Sequence, residues 1–153
     1  MTAPKSPQPD ADVRTLQIVW SALIAGVALA TAVMGGLAYT SQNAAFAGDA
    51  ETFFLINAAV SILAVIGAFA VQRRMVDRLP AQGTRAEVIA TVRTSGVLSL
   101  ALLEGSALLA CIVAFLTGEL INLAFVVPFF AFALMFFPTT ARLDALIDMA
   151  QRG

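Results

Sequence analysis

Glu104 is the residue whose chemistry stands out, because it is the one carboxyl inside an apolar run from about Val97 to Leu116. Arg93 precedes it by eleven residues and Glu119 follows it by fifteen, about 16 Å and 22 Å along a helix. A charge at that depth costs at least about 2.5–3.5 kcal/mol on insertion scales. No Lys or Arg lies in the apolar runs to pair with it. We therefore expect a protonated carboxyl that donates a hydrogen bond, unless a cation replaces the proton.

Small and polar residues near Glu104 would let a second helix approach this carboxyl. Ala101 and Gly105 are small, and Ser106 and Ser61 are candidate hydrogen-bond partners. A carboxyl that holds either a proton or a small cation is what ion translocation requires. Two uses stay open: an ion-carrying group, or a protonated hydrogen bond that only holds helices together.

Other reactive groups are scarce. The chain has no His and one Cys, Cys111, which removes the commonest ligands for zinc, copper and haem. No nucleophile, base and metal set converges, so we expect no metal, no cofactor and no enzymatic activity. A chain that is 59% hydrophobic and 12% charged is also not expected to bind nucleic acid.

The amino-acid composition indicates that the helix with Glu104 lies in a lipid bilayer. Of the 153 residues, 59% are hydrophobic and 12% charged, and mean hydropathy is +0.87, whereas soluble domains are about 45–50% apolar and about 25% charged. A spanning helix needs about 20 apolar residues, and strands would show alternation that these runs lack. The fold class is therefore an all-α integral membrane four-helix bundle over residues 16–137, with spans at about 16–39, 53–71, 97–116 and 120–137.

All basic residues fall on one side of this predicted bundle. The positive-inside rule assigns that side, with both termini, to the cytoplasm, in a cell membrane of the bacterial inner-membrane type. The arginines of the central loop are explained if they hold the chain in this topology. Binding of anionic lipid headgroups is an alternative use for them. The candidates for headgroup binding are Arg73, Arg74, Arg78 and Arg85.

The flanking segments carry their own signals. Residues 1–15 are expected to form a flexible cytoplasmic tail. Thr84-Arg85-Ala86-Glu87 has the form of a capping box, so the third helix should begin near Arg85. Pro128 should break the fourth helix, and residues 138–153 show the pattern of an amphipathic cytoplasmic tail helix.

The first run carries two rows of small residues at helical spacing, which predict a packing face within the bundle or between subunits. Trp20 and Tyr39, near its ends, are expected at the two water interfaces. Six Phe between positions 125 and 137 are expected to face lipid for the most part. The two small-residue rows are Ala22, Gly26 and Ala30, and Ala28, Ala32 and Gly36.

The stretch Thr91–Phe115, with Leu102-Leu103-Glu104-Gly105-Ser106-Ala107-Leu108-Leu109 at its centre, resembles the carboxylate-bearing helix of the ATP synthase c subunit, the proteolipid of the rotor ring. The shared features are Ala- and Leu-rich flanks, a small residue after the Glu and a preceding basic loop. The resemblance implies that Glu104 carries the ion and that the protein forms a ring. It is confined to this helix, since Gly67 stands alone where the family has an alternating Gly ladder.

Two functions are therefore compatible with the sequence. The first is a non-enzymatic structural or accessory subunit of a membrane assembly, with Glu104 as a buried protonated carboxyl. The second is a proton- or cation-binding proteolipid-like subunit in which Glu104 carries the ion. In both, the partners are the lipid bilayer and either further copies of the chain or a larger membrane complex.

Overall fold

The computed structural model describes residues 10–40, 45–77 and 84–152. Within these ranges all regular structure is helical, and three helices are long and apolar enough to cross a membrane. A fourth crossing exists if the bent segment near the C-terminal end is one span. The α-helices are α1 (Asp10–Thr40), α2 (Ala50–Asp77), α3 (Arg85–Thr117), α4 (Val127–Met135) and α5 (Thr140–Arg152), with 3₁₀ helices at Ala47–Asp49 and Leu120–Val126.

α1 begins at Asp10 and therefore takes in part of the segment that the sequence assigned to a tail. The remainder of that tail, residues 1–9, lies outside the described residues. Apolar character begins only near Leu16, so the first turns of α1 have no composition signal that separates them from a tail.

α3 is the central helix and contacts α1, α2, α4, α5 and the second 3₁₀ helix. Its neighbour α1 runs parallel to it, because Trp20 lies against Gly96 at one end and Thr31 contacts Cys111 further along. α2 runs antiparallel to α3, because Ser61 bonds Ser106 whereas Gln72, later in α2, bonds the earlier Ser99. The buried core lies where these helices meet.

The ends of α3 have clear local causes. Thr84 N–H donates to Glu87 Oε2 at 2.8 Å, and Glu87 N–H donates to Thr84 Oγ1 at 3.4 Å, so the predicted capping box is confirmed. At the other end Gly118 has a φ of 71°, a left-handed conformation that glycine adopts without strain. The 33 residues between them make a helix of about 50 Å.

The fourth predicted span, 120–137, is divided into two helices of different type just before Pro128. Leu120–Val126 is a 3₁₀ helix, and α4 covers only Val127–Met135. Pro128 lies in the first turn of α4, where its missing N–H leaves no bond unmade, and the change of helix type lies directly before it. After Met135 the direction changes by 68° before α5.

Carbonyl groups at this bend are bonded by side chains from distant parts of the chain. Trp20 Nε1 donates to the Ala133 carbonyl at 3.0 Å, and Gln17 Nε2 donates to the Pro138 carbonyl at 3.0 Å. Arg142 bonds the Met135 carbonyl and lies over the Phe136 ring. Because an unpaired carbonyl is costly away from water, these contacts make the bend compatible with an apolar medium.

This packing gives the surroundings of Trp20 and corrects the expectation that the six Phe face lipid for the most part. Trp20 is 2% exposed and lies inside the bundle, because its N–H finds a partner at the bend. Phe129 and Phe132 are also core residues, at 1% and 3% exposure, and Phe132 stacks on Phe136 with ring centroids 4.3 Å apart. The remaining Phe of that group are half-buried.

α5 covers the start of α3. Ile147 and Ala150 pack with Val88 in a small separate core. At the edge of this contact, Arg85 Nη2 lies 3.5 Å from Asp144 Oδ1. The apolar face of α5 therefore packs on the chain itself. This contact lies at the end of the molecule where α1 begins, α2 ends and α3 begins, and we call that end the arginine-rich end.

Candidate functional site

Glu104 lies on the outer edge of α3, with its side chain half-buried rather than fully buried. Within the part of the chain that the structure describes, no hydrogen bond or ion pair reaches its carboxyl. Ala101 and Gly105 are exposed beside it, and a Cβ added at Gly105 would meet no atom within 4 Å. The space next to this carboxyl is therefore open.

Ser61 and Ser106 come together, but not around Glu104. Their hydroxyl oxygens are 2.9 Å apart, and both side chains are buried between α2 and α3. Ser106 follows Glu104 by two residues, which is about 200° around a helix. The four predicted site residues on α3 are thus divided between a buried face, with Ser106, and an open one, and Ser61 of α2 meets the buried face.

A row of buried polar contacts runs along the α2–α3 interface, and we call it the polar row. Ser99 Oγ donates to the Ala68 carbonyl at 3.2 Å and accepts from Gln72 Nε2 at 3.5 Å. Near the opposite end, Asn57 Nδ2 donates to Asn122 Oδ1 at 3.2 Å. These contacts, with the Ser61–Ser106 pair between them, bond polar groups that an apolar medium would otherwise leave unpaired.

Sequence reasoning overlooked Ser99, Gln72 and Asn122. A signal was present in α2, where three uncharged polar residues occur at positions 57, 61 and 72. Spacings of four and eleven residues place all three on one helical face. Asn57 itself is fully buried, and its Oδ1 has no partner in the described residues.

A groove between α1 and α3 extends along α3 as far as Ala101, three residues before Glu104. Val19 of α1 and Val97 of α3 line this groove. Gly26 follows Val19 by seven residues, and Glu104 follows Val97 by seven. Seven residues are two helical turns, so each lies on the same face of its helix as the valine before it. α1 and α3 are parallel, so Gly26 and Glu104 lie at similar heights. We call this surface the Glu104 seam: Ala22, Gly26, Ala30, Ala101 and Glu104.

The small-residue rows of α1 do not pack within the described bundle. Gly26 and Gly36 have nothing within 4 Å of an added Cβ, and their rows are otherwise exposed apart from the half-buried Ala30. The close approaches are made instead at Gly96, where an added Cβ would lie 2.8 Å from the Trp20 ring, and at Gly35, 3.0 Å from Leu123 Cδ1. In both cases a large side chain fills the space at a glycine, a pairing that small-residue spacing does not reveal.

The candidate headgroup arginines occupy different environments. Arg73 and Arg74 are exposed near the end of α2, and Arg85 pairs with Asp144. Arg78 lies outside the described residues. Arg93, the last of the five arginines between positions 73 and 93, is exposed and lines the groove between α1 and α3.

These observations define a class: a helical membrane protein whose central helix presents one carboxyl on an open, small-residue edge. No metal-binding group of acidic or sulfur side chains occurs in the described ranges. No protein-family model, curated protein or solved structure matches the chain.

Proposed function

We propose that the protein is a non-enzymatic structural or accessory subunit of a membrane assembly, and that the Glu104 seam is where a further membrane helix packs. The observation that carries this proposal is the half-buried Glu104, without a bonding partner among the described residues. A protonated carboxyl in lipid gains from a hydrogen bond to a neighbouring helix, on the order of 1 kcal/mol. The assembly therefore supplies the bond that the described chain does not make.

The shape of the seam supports a helix as the partner. Gly26 and Gly105 leave open space on either side of Glu104, and small residues let helix backbones approach closely enough for side chain to carbonyl bonds. A second copy of the chain or a helix of a larger complex would both fit. In this proposal the arginine-rich end faces the cytoplasm of a bacterial-type inner membrane, as the positive-inside rule predicts.

A matched pair of glycine variants tests the proposal. Gly26→Leu places a bulky side chain in the seam, whereas Gly36→Leu places the same side chain in the other row of α1, and neither meets an atom within 4 Å of the added Cβ. Protein extracted with surrounding native lipid should show a higher-mass assembly for the parent and Gly36→Leu, and its loss in Gly26→Leu. Circular dichroism checks that both variants remain helical. An assembly unaffected by either variant would contradict a role for the seam.

The second candidate function is a proton- or cation-binding subunit. It is favoured by one observation, the outward position of the Glu104 edge, from which a group in lipid can reach the carboxyl. The nearby hydroxyls of Ser61 and Ser106 bond one another on a different face, so further oxygen ligands would have to come from other copies.

Carbodiimide labelling separates the two candidate functions. An ion-carrying Glu104 should react with a hydrophobic carbodiimide, and labelling should fall as pH or Na⁺ concentration rises. Glu104→Gln keeps a hydrogen bond but cannot exchange a proton. If Glu104 is structural, this variant should retain the assembly. If Glu104 carries the ion, the variant should lose ion movement. Labelling that responds to neither pH nor Na⁺ would count against ion binding.

A further inference from the structure

Two grooves flank the outer surface of α3 at the arginine-rich end. One lies between α1 and α3, with a volume of about 730 Å³, and the other lies between α2 and α3, with a volume of about 520 Å³. They share three α3 residues, Ala90, Thr94 and Leu98, which lie on one helix face at a spacing of four. We call these three residues the ridge, since they separate the two grooves.

Each groove has one arginine. Arg93 lines the α1–α3 groove and Arg74 lines the α2–α3 groove, and both are exposed. Neither makes an ion pair with any residue that the structure describes, whereas Arg85 is paired with Asp144 and Arg142 is bonded at the bend. No Asp or Glu lines either groove. The ridge is therefore flanked by two uncompensated positive charges above apolar walls.

The height of these charges matches a headgroup layer. Arg93 is about 16 Å along α3 from Glu104, and half of a typical hydrocarbon core is about 15 Å. From Arg93 the α1–α3 groove continues toward the membrane interior past Val97 and Ala101, whereas the α2–α3 groove reaches Leu98 and Val71. The grooves thus have a charged mouth and an apolar floor.

We propose that this double groove binds one anionic phospholipid of the bilayer. The phosphate lies over the small residues Ala90 and Thr94, between Arg74 and Arg93, and one acyl chain follows each groove on either side of Leu98. Two arginines, one in each groove on either side of the ridge, distinguish such a site from general attraction of a basic surface to anionic lipid.

Hydroxyl groups in the grooves indicate what the site recognises. Thr94 Oγ1 donates to the Ala90 carbonyl, Thr91 Oγ1 to the Glu87 carbonyl and Ser95 Oγ to the Thr91 carbonyl. Their protons are used within α3, so the arginines provide the donors to a headgroup. The site should therefore distinguish anionic from zwitterionic lipid and discriminate little between different anionic headgroups.

The single tryptophan of the chain reports on this site. Trp20 lies one residue from Val19, which lines the α1–α3 groove, and packs against Gly96, next to Val97. The full chain is reconstituted into phosphatidylcholine vesicles that contain increasing fractions of phosphatidylglycerol with brominated acyl chains, which quench tryptophan fluorescence at short range. Quenching should saturate at a low fraction of phosphatidylglycerol and rise without saturation for brominated phosphatidylcholine.

Charge variants locate the site. An arginine near an anionic surface contributes about 1 kcal/mol, so Arg74→Gln and Arg93→Gln should each weaken apparent phosphatidylglycerol binding about fivefold. Arg73→Gln makes the same charge change one residue away, at a position that lines neither groove, and should leave binding unchanged. Ala90→Phe should block binding without any change in charge. Native mass spectrometry of the same samples counts the phosphatidylglycerol that stays bound.

Three results would overturn the proposal. Equal weakening by Arg73→Gln and Arg74→Gln would mean diffuse attraction to the surface. Equal quenching and retention of the two lipids would mean no preference for anionic headgroups. Cross-linking between two copies of an Ala90→Cys variant would mean that a second copy of the chain occupies the ridge. The α1–α3 groove and the Glu104 seam share Ala101, so assembly at the seam is tested separately by Gly26→Leu, at a residue that lines neither groove.

Discussion

At the scale of single residues, the contact between Gly96 and Trp20 fixes how α1 meets α3. An added Cβ at Gly96 would lie 2.8 Å and 2.9 Å from two ring atoms of Trp20, a side chain that is 2% exposed and held by its bond to Ala133. Overpacking of this kind costs about 1–3 kcal/mol. Gly96→Ala should therefore lower the free energy of unfolding measured by denaturant titration in detergent.

Gly105 provides the matched control for this substitution. It lies on the same helix, and an added Cβ there meets nothing within 4 Å. Gly105→Ala should leave stability unchanged or raise it by up to about 1 kcal/mol, because alanine favours the helix. Equal destabilisation by both variants would mean that helix propensity or lipid contact, and not the Trp20 ring, governs the two positions.

The Asn57–Asn122 contact is a second test at this scale. Both side chains are fully buried, so Asn122→Leu leaves the Asn57 amide with neither a donor nor an acceptor partner and should cost about 1–3 kcal/mol. The double variant Asn57→Leu with Asn122→Leu removes both polar groups and should recover part of that loss. A double-mutant cycle on unfolding free energies measures the coupling, and additive effects would mean that the pair contributes nothing.

At the scale of elements, the bend between α4 and α5 depends on α1. Trp20→Phe keeps an aromatic side chain at this position but removes the N–H that bonds the Ala133 carbonyl, together with the outer ring atoms that lie against Gly96. Loss of that bond should cost about 1 kcal/mol and should increase hydrogen exchange in residues 136–143. Tyr39→Phe, at a ring that is 80% exposed, is the control and should leave exchange unchanged.

Helix existence was predictable from the sequence, whereas the buried face of α3 was not. Long apolar runs and the Thr84–Glu87 box indicate α1, α2 and α3, and both signals are local. In lipid the outer face of a helix is as apolar as its core, so periodicity does not tell which side of α3 is buried. Glu104 and Ser106 were therefore assigned to one site, although they lie on opposite sides of the helix. The contacts of Trp20 with the bend join residues over a hundred positions apart, which no local pattern reports.

At the scale of the whole molecule, the path of residues 120–138 decides the number of crossings. Asn122 bonds Asn57 near the start of α2, whereas Pro138 accepts from Gln17 near the start of α1. These contacts are at opposite ends of the bundle. Seven residues of 3₁₀ helix and nine of α-helix cover the distance between them. A 3₁₀ helix rises about 2.0 Å per residue, so this segment is about 27 Å long, close to a hydrocarbon core of about 30 Å.

The segment should therefore be a fourth crossing, and labelling from the two sides of the membrane tests this. Gly48→Cys lies between α1 and α2, and Thr140→Cys lies at the start of α5; both positions are exposed, and the native Cys111 is 1% exposed and should react little. With four crossings, a membrane-impermeant maleimide should label Gly48→Cys and Thr140→Cys from opposite sides. With three, α3 ends on the side of Gly48, and the chain stays there, so both variants would be labelled from the same side. In that case the bonds from Gln17 and Trp20 to the bend could not form in the membrane, and the Trp20→Phe effect should be absent as well.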